Sequence, residues 1–247
     1  MTLRDACLRR LDPEERYGLR LSLLAVAFLL LAVPFGWLLS QVEGEGTLVR
    51  LDTSAARHLH DWARESPAMV SFLRVVTFLG SPLWLYAVVI PAALFVWRRH
   101  HVRLAVFLAV TVAGGGVLNS VVKVVVDRPR PALVDPVAVA DGRSFPSGHA
   151  MSSTVAYGAL LLVFLPVVAR RVRPLVVAAG VVLVAGIGFT RLALGVHYIS
   201  DVVGGVVLGL AWLAASTAAF STWRVERGRP QVEPMEGLEP EAAADLR

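Results

Sequence analysis

The stretch LAVFLAVTVAGGGVLNSVVKVVV, residues 104–126, decides the fold class. Its 23 residues contain a single charged side chain, that of Lys123. About 20 such residues cross a bilayer as an α-helix. Because lipid offers no partners to backbone N–H and C=O groups, a segment of this kind must be helical. The stretch therefore predicts a transmembrane helix rather than the core of a soluble domain.

The rest of the chain has the same character. Of 247 residues, 56% are hydrophobic and 17% are charged, whereas about 25% are charged in a soluble domain. We predict an all-α integral membrane bundle of about six transmembrane helices, with residues 1–223 as one transmembrane domain. The predicted spans are Leu19–Leu39, Pro82–Trp97, Leu104–Val126, Pro146–Leu165, Pro174–Phe189 and Tyr198–Thr222.

The basic residues predict the orientation of these spans. With the N-terminus inside the cell, most of the 24 lysines and arginines fall in cytoplasmic segments, as the positive-inside rule requires. Both termini are therefore predicted to be cytoplasmic. The net charge of +5 follows mostly from this bias, so it gives no reason to expect a nucleic-acid partner. The single cysteine, Cys7, cannot form an internal disulfide.

Two segments outside the spans have distinct patterns. In the first outer loop, apolar residues recur every three or four positions, at Leu48, Leu51, Ala55, Leu59 and Trp62. This spacing predicts an interfacial helix at about residues 47–66, which is either a connector on the rim of the bundle or a lid that guides substrate. The tail, residues 224–247, is rich in Pro, Glu and Arg and is predicted to be disordered.

Lys123 begins the first candidate functional stretch, K-V-V-V-D-R-P-R-P, at the outer end of the third predicted span. Pro129 disfavours helix at Arg128, so the helix should end near Asp127 and Arg130 should lie on the loop. Lys123 is the only lysine in the chain, and an unpaired cation next to lipid is costly. An anionic partner is therefore expected, with snorkelling of the side chain as the alternative.

The second stretch, S-F-P-S-G-H from Ser144 to His149, lies at the entry to the fourth span. Pro146 and Ser147 are good helix-start residues, which is a sufficient structural reason for both. The same arrangement leaves unpaired N–H groups at the positive end of a helix, which is a ready anion site. Gly148 would let an anion approach the backbone closely. His149 falls in the first turn, where it is either a contact for that anion or an interfacial polar residue.

The third stretch is T-R-L-A-L-G-V-H-Y-I-S-D, from Thr190 to Asp201. His197 and Asp201 are four residues apart and share a helix face if the sixth helix has begun there. A carboxylate bonded to one imidazole nitrogen fixes the tautomer and leaves the other nitrogen able to act as a nucleophile. A structural hydrogen bond that caps the helix is the alternative.

All three stretches lie at helix ends on the same predicted side of the membrane. Together they supply three cations, a helix N-terminus, two histidines and a carboxylate. This set predicts an oxyanion site with a nucleophile and a second acid–base group.

In these motifs the sequence resembles the type 2 phosphatidic acid phosphatase family, whose signature is K-x6-R-P, P-S-G-H and S-R-x5-H-x3-D. The order and the internal spacings are the same here, and Thr190 stands where the pattern has serine, so the hydroxyl is kept. The six-span plan is similar to that of the bacterial membrane branch. The resemblance therefore covers nearly everything from Leu19 to Thr222.

The resemblance implies a lipid phosphatase that needs neither a metal nor another cofactor. His197 would attack phosphorus to give a phosphohistidine, Asp201 would orient His197, and His149 would act as general acid and then as general base. The phosphoryl oxygens would be held by Lys123, Arg130, Ser147, Gly148 and Arg191. Magnesium is not expected, because this face shows no cluster of acidic and histidine residues suited to it.

Two rival functions are weighed against this one. A vanadate-dependent haloperoxidase is similar in the same motifs, but those proteins are soluble. A catalytically silent membrane protein that binds or transports phospholipids would not need His149, His197 and Asp201 intact.

The substrate is expected to be a membrane lipid at the extracytoplasmic face of the cell membrane. A polyprenyl diphosphate such as undecaprenyl diphosphate is favoured, with phosphatidic acid and phosphatidylglycerophosphate as alternatives. The oligomeric state is not predicted, because the G-x-x-x-G pair Gly205 and Gly209 serves packing either between copies or within one bundle.

Overall fold

The computed structural model describes residues 47–133, 137–138, 140–226, 228, 230 and 232–246. All regular secondary structure in these ranges is helical, which confirms the predicted fold class. The first predicted span, Leu19–Leu39, lies outside the described residues.

Seven α-helices lie in the described part of the chain. They are α1 (Thr47–Arg64), α2 (Pro67–Phe78), α3 (Pro82–Arg98), α4 (Val102–Val126), α5 (Gly148–Phe164), α6 (Arg173–Ala193) and α7 (Ile199–Glu226). Three short 3₁₀ helices accompany them, at Leu165–Val167, Pro234–Glu236 and Pro240–Ala243.

Five stretches of the described chain are long and apolar enough to cross a membrane. They are Pro67–Arg98, Val102–Val126, Gly148–Val167, Arg173–Ala193 and Ile199–Thr222. They overlap the last five predicted spans, and α6 extends beyond the predicted bounds at both ends. The chain is therefore a helical membrane protein.

Helix α2 was not predicted. It begins at a Ser-Pro pair, where the Ser66 hydroxyl accepts a hydrogen bond from Met69 N at 3.4 Å. A second Ser-Pro pair starts α3, where Ser81 caps Trp84 N at 3.3 Å. The 17 residues of α3 reach only about 26 Å as a helix, short of the roughly 30 Å hydrocarbon core. The apolar residues of α2 extend this stretch at its N-terminal end.

Helix α5 lies at the centre of the bundle and packs on α3, α4, α6 and α7. Its closest neighbour is α7, because glycines let the two backbones approach each other. A Cβ at Gly209 would lie 2.9 Å from Thr154 Cβ, and one at Gly205 would lie 2.7 Å from the carbonyl oxygen of Ser147. The G-x-x-x-G pair therefore packs within the bundle.

The tail differs from its prediction. Residues 232–246 are ordered against the end of the bundle that carries Arg103 and Arg224, with Leu238, Ala242 and Leu246 buried in the main apolar cluster. Leu238 N also donates to Leu162 O at 2.9 Å. The prediction of disorder was wrong here because it rested on average composition. Three apolar residues spaced four apart are enough to anchor a polar segment when arginines of the bundle meet its carboxylates.

Candidate active site

The three predicted stretches meet at one end of the bundle. Helix α4 ends at Val126, with Asp127 in the left-handed conformation (φ 48°), so Arg130 lies on the loop as predicted. Helix α5 begins at Gly148, and α7 begins just after His197. The residues are within electrostatic reach of one another: His149 interacts with Lys123, Arg130, Arg191 and His197. The structure thus brings the candidate residues together. We call this the site end of the bundle.

His197 and Asp201 form a buried pair. His197 Nδ1 lies 3.3 Å from Asp201 Oδ2, and the two residues are only 2% and 0% exposed. Asp201 Oδ2 also accepts a hydrogen bond from Tyr198 N at 2.9 Å, so the carboxylate caps α7 as well as contacting the imidazole. The contact with the imidazole and the capping hydrogen bond therefore occur in the same structure.

The other ring nitrogen of His197 faces the cations. Its Nε2 lies 3.3 Å from Arg130 Nη1. Burial lowers the pKa of His197 to about 4, although the hydrogen bond and the charge of Asp201 act to raise it. The imidazole is therefore neutral at physiological pH. With Nδ1–H directed at Asp201, the lone pair of Nε2 points toward the cationic side of the site.

The three candidate cations bind neutral oxygens. Lys123 Nζ donates to Arg143 O at 2.8 Å, and Arg191 Nη1 donates to Thr77 Oγ1 at 3.0 Å. Arg130 donates to three backbone carbonyls, those of Asp141, Gly142 and Val196, at 2.8 to 3.1 Å. Among the described residues, none of the three cations forms a salt bridge. Positive charge is thus concentrated here with no carboxylate of the described residues in salt-bridge contact with these three cations, although Asp201 lies close enough to act on Lys123 and Arg130 through its charge.

Two buried donors at the site have no partner among the described residues. These are the hydroxyl of Ser147 and the Nε of Arg191, in side chains that are 0% and 9% exposed. A buried polar group without a partner is costly, and its presence in a folded protein needs an explanation. The backbone N–H of Ser147 is already used, since it donates to Asp201 O at 2.9 Å. Gly148 is the first residue of α5, so its N–H has no acceptor within the helix.

His149 lies beside an apolar groove. The groove has a volume of about 670 Å³ and runs between α3, α4 and α5 to Gly148 and His149. Its walls include Leu85, Val117 and Val121, together with the small residues Gly115 and Gly116. It therefore connects Gly148 and His149 to a surface that suits hydrocarbon.

Three residues that sequence reasoning did not single out lie directly behind His197. Arg128 Nη1 donates to Asp201 Oδ1 at 2.7 Å and to Ser200 Oγ at 2.6 Å, and its Nη2 donates to Asp52 Oδ2 at 2.9 Å. Asp52 and Arg128 are 1% and 7% exposed. One signal for Asp52 was available. It shares a helix face with Leu48, Ala55 and Leu59, and an acid on an apolar face requires a buried partner.

No group of three or more His, Cys, Asp or Glu side chains in the described ranges could hold a metal ion.

A buried histidine beside clustered cations at one end of a helical membrane bundle fits a membrane-embedded phosphatase. The model of the PAP2 superfamily matches residues 104–224. The chain is also 34% identical over 140 residues to phosphatidylglycerophosphatase B of Bacillus subtilis, which covers 55% of this chain and 67% of that protein. The chain belongs to the PAP2 superfamily, and it is a membrane lipid phosphatase.

A solved structure has the same fold. It is the crystal structure of the first transmembrane PAP2-type phosphatidylglycerolphosphate phosphatase from Bacillus subtilis, and it matches with a TM-score of 0.66 over 87% of this chain and 98% of the solved chain. The sequence identity is 21%, so this likeness concerns the fold alone.

Proposed function

We propose that this chain hydrolyses a lipid phosphate through a phosphohistidine on His197. The observation that carries the proposal is the buried His197–Asp201 pair, whose Nε2 lies beside Arg130, one of three cations that form no salt bridge with the described residues. A neutral imidazole with a fixed tautomer is a competent nucleophile. The uncompensated cations provide the place for the anion that it attacks.

The reaction has two steps. In the first, the Nε2 lone pair of His197 attacks phosphorus, the bond from phosphorus to the lipid oxygen breaks, and His149 gives a proton to that oxygen. In the second, His149 takes a proton from water, the oxygen of that water bonds to phosphorus, and the N–P bond breaks to release inorganic phosphate. Asp201 stabilises the positive charge that develops on the imidazole in the first step.

The remaining candidate residues stabilise charge on the phosphoryl oxygens. Phosphoryl transfer is catalysed mostly by positioning and electrostatics, and donors fixed in advance are worth most in a site that excludes water. The proposed ligands of these oxygens are Lys123, Arg130, Ser147, Gly148 and Arg191. Ser147 Oγ and Arg191 Nε are buried donors that find no partner in the described part of the chain, and a bound phosphoryl group would satisfy both.

We infer phosphatidylglycerophosphate as the first substrate to test. The named relative with 34% identity is a phosphatidylglycerophosphatase, so it favours this lipid over the polyprenyl diphosphate that membrane location alone favoured. The apolar groove beside His149 supports a substrate with acyl chains. Undecaprenyl diphosphate and phosphatidic acid stay predictions, and they belong in the same assay.

The remaining parts of the proposal concern place and cofactor. The distribution of basic residues favours a site at the extracytoplasmic face of the cell membrane. The three cations supply the positive charge that a metal supplies in many phosphatases, so we expect hydrolysis without a metal.

The experiment that tests this function measures phosphate release by the detergent-purified protein in EDTA. Phosphatidylglycerophosphate, phosphatidic acid and undecaprenyl diphosphate are compared. His197→Ala should lower kcat by about 10³-fold or more, as for removal of other covalent nucleophiles. His58→Ala is the matched control, because His58 is an exposed histidine of α1 that bonds only within its own helix.

Each other outcome removes a different part of the proposal. Activity of His197→Ala within about tenfold of wild type removes His197 from the role of nucleophile. A strict requirement for added Mg²⁺ removes the metal-independent mechanism. Release from undecaprenyl diphosphate alone reverses the choice of substrate. Release from none of the lipids favours a silent lipid-binding protein.

A further inference from the structure

The nucleophile at the site end rests on a second buried cluster, formed by Asp52, Arg128, Ser200 and Asp201. The two oxygens of the Asp201 carboxylate have different hydrogen-bond partners. Oδ2 contacts His197 Nδ1 at 3.3 Å and accepts from Tyr198 N, while Oδ1 accepts from Arg128 Nη1 at 2.7 Å. The position of Oδ2, and so the direction of the imidazole, depends on how Oδ1 is held.

Arg128 is itself held from the opposite side. Its Nη2 donates to Asp52 Oδ2 at 2.9 Å, and its guanidinium carbon lies 4.3 Å from the centre of the Tyr198 ring. A guanidinium is a planar group with donors in fixed directions, so binding two carboxylates at its two ends fixes its orientation. Burial alone would lower the pKa of Arg128, but the charges and hydrogen bonds of Asp201 and Asp52 outweigh it and raise that pKa. Arg128 is therefore a permanent cation.

Asp52 ties this cluster to helix α1. Its Oδ1 accepts from Ser200 N at 3.1 Å, and its Oδ2 also accepts from the Ser200 hydroxyl. The carboxylate therefore connects α1 to the first turn of α7, the turn that carries Asp201. Burying two carboxylates and the one arginine that they share costs desolvation free energy, so the cluster needs an explanation. A device that holds the catalytic pair in one geometry accounts for it.

We propose that Arg128, anchored by Asp52 of α1, is a positioning residue that orients Asp201 and through it the His197 nucleophile. Helix α1 is then part of the active-site scaffold, rather than a connector on the rim or a lid. The proposal rests on the proposed function in one respect, the role of His197. It predicts that the cluster contributes to the chemical step and little to the binding of substrate, because Arg128 contacts Asp201 at Oδ1, whereas His197 contacts it at Oδ2, and Asp52 contacts Arg128 rather than the proposed phosphate ligands.

A double-mutant cycle of Asp52→Asn and Asp201→Asn tests this directly. Asp52→Asn alone should lower kcat by about 10-fold and leave KM within about twofold, because supporting residues commonly contribute that much. In the Asp201→Asn background, Asp52→Asn should lower kcat by less than about twofold, because its effect passes through Asp201. Asp61→Asn is the matched control: Asp61 is an exposed carboxylate of the same helix, and it pairs with Arg64 at 3.4 Å.

Equal loss in both backgrounds would overturn the proposal, as would an Asp52→Asn variant with unchanged kcat. If Asp52→Asn does not fold, Ser200→Ala takes its place in the cycle, because the Ser200 hydroxyl contacts both Asp52 and Arg128.

A second readout does not require turnover. Orthovanadate accepts an imidazole nitrogen as a fifth ligand, whereas inorganic phosphate is held only by the proposed ligands of the phosphoryl oxygens and forms no bond to His197. Both can be titrated by the shift that they cause in the unfolding temperature of the detergent-solubilised protein. Asp52→Asn should weaken vanadate binding by about tenfold and leave phosphate binding within about twofold. Equal weakening of both anions, or of neither, would overturn the proposal. If wild type binds vanadate through His197 but releases phosphate from no lipid, the proposed function fails, and this titration still decides the role of the cluster.

Discussion

The two ends of the helical bundle both gather arginines, and they differ in what those arginines meet. At the site end, Arg128 binds the carboxylates of Asp52 and Asp201, but Lys123, Arg130 and Arg191 donate to carbonyl and hydroxyl oxygens. At the other end, which we call the tail end because residues 232–246 pack there, the cations meet carboxylates. Arg224 binds both oxygens of Glu241, at 2.6 and 3.1 Å, and Arg103 lies 3.9 Å from Glu239.

This difference indicates that the cations of the tail end contribute to stability, whereas Lys123, Arg130 and Arg191 at the site end contribute to function. A buried cation that has lost its carboxylate is strongly destabilising, so the pairs of the tail end contribute to folding. A buried cation that has no carboxylate in salt-bridge contact is unfavourable in the folded state, and a bound anion would reduce that cost. Substitutions at the two ends should therefore have opposite consequences: the site end loses activity and keeps stability, and the tail end loses stability and keeps activity.

The largest effect is expected from Arg191→Gln. Removing one preorganised donor from a developing oxyanion typically costs about 10²- to 10³-fold in kcat, and Arg191 offers a buried Nε without a partner in the described structure. The unfolding temperature should be unchanged or higher, because an uncompensated buried charge is removed. Phosphate release and thermal unfolding in the same detergent check both parts. A large loss of stability would show that Arg191 is a structural cation, and the two ends would no longer differ.

Arg224→Gln is the matched change at the tail end, and a smaller effect is expected. It removes the salt bridge to Glu241 and the bonds to the carbonyls of Pro230 and Leu238. Because Glu241 is 45% exposed, the free energy of unfolding should fall by only about 2 kcal/mol, below the range for a fully buried pair. The activity of each folded molecule should equal that of wild type, as measured by kcat normalised to the folded fraction. A reduced kcat with normal stability would reverse the assignment of the two ends.

The sequence was sufficient for the five spans in the described residues because each one is decided locally. Twenty apolar residues in a row can only be a helix in lipid, whatever they pack against. Helix α2 was missed because its 12 residues are too few to cross a membrane alone, so the apolar pattern had no assigned role. The tail was predicted wrongly because its order depends on partners that average composition does not register, namely Arg224 and the buried surface around Leu162.

The candidate site followed from the order and spacing of three motifs, each of which lies within a dozen residues. Spacing also predicted that the cations would lie at helix ends on one side. Asp52 and Arg128 could not be found in this way, because they are 76 residues apart and belong to segments with no shared pattern. Only the packing of α1 against the start of α7 makes them neighbours. Contacts between segments far apart in the chain are the part of the site that a single sequence does not predict.

Ser147→Ala tests the difference between the two ends with the removal of a single hydroxyl group. The Ser147 hydroxyl is fully buried and has no partner in the described ranges. Removing an unsatisfied group costs the folded state nothing, so the unfolding temperature should be unchanged or slightly higher. If this hydroxyl donates to the bound phosphoryl group, kcat/KM should fall by about tenfold, the value of one good hydrogen bond. Thr222→Ala is the control: Thr222 lies near the tail end, and its hydroxyl has a partner in Ala218 O at 2.9 Å.

The smallest effect concerns the acid limb of the pH profile. Each end of the bundle has a histidine beside a carboxylate: His101 lies 3.3 Å from Asp245, and His197 lies 3.3 Å from Asp201. His197 is the histidine proposed to react. Burial lowers its pKa to about 4, and Asp201 opposes that shift. The nucleophile must be neutral, so kcat/KM should not fall with protonation of His197 until the pH approaches about 4. In Asp201→Asn the opposing charge is removed, so the pKa of His197 should fall further.

The sign of this shift can be measured although the substrate also titrates. A phosphomonoester has a second pKa of about 6, and this ionisation of the substrate is the same in the assays of wild type and of Asp201→Asn. The ratio of kcat/KM between wild type and Asp201→Asn cancels it. That ratio should be constant above about pH 5 and should fall toward pH 4, because wild-type His197 takes up its proton at a higher pH than the variant does. Recovery of full activity on return to pH 7 controls for acid unfolding. A ratio that rises as the pH falls would mean that Asp201 lowers the pKa of His197, which contradicts an ionised carboxylate beside the nucleophile.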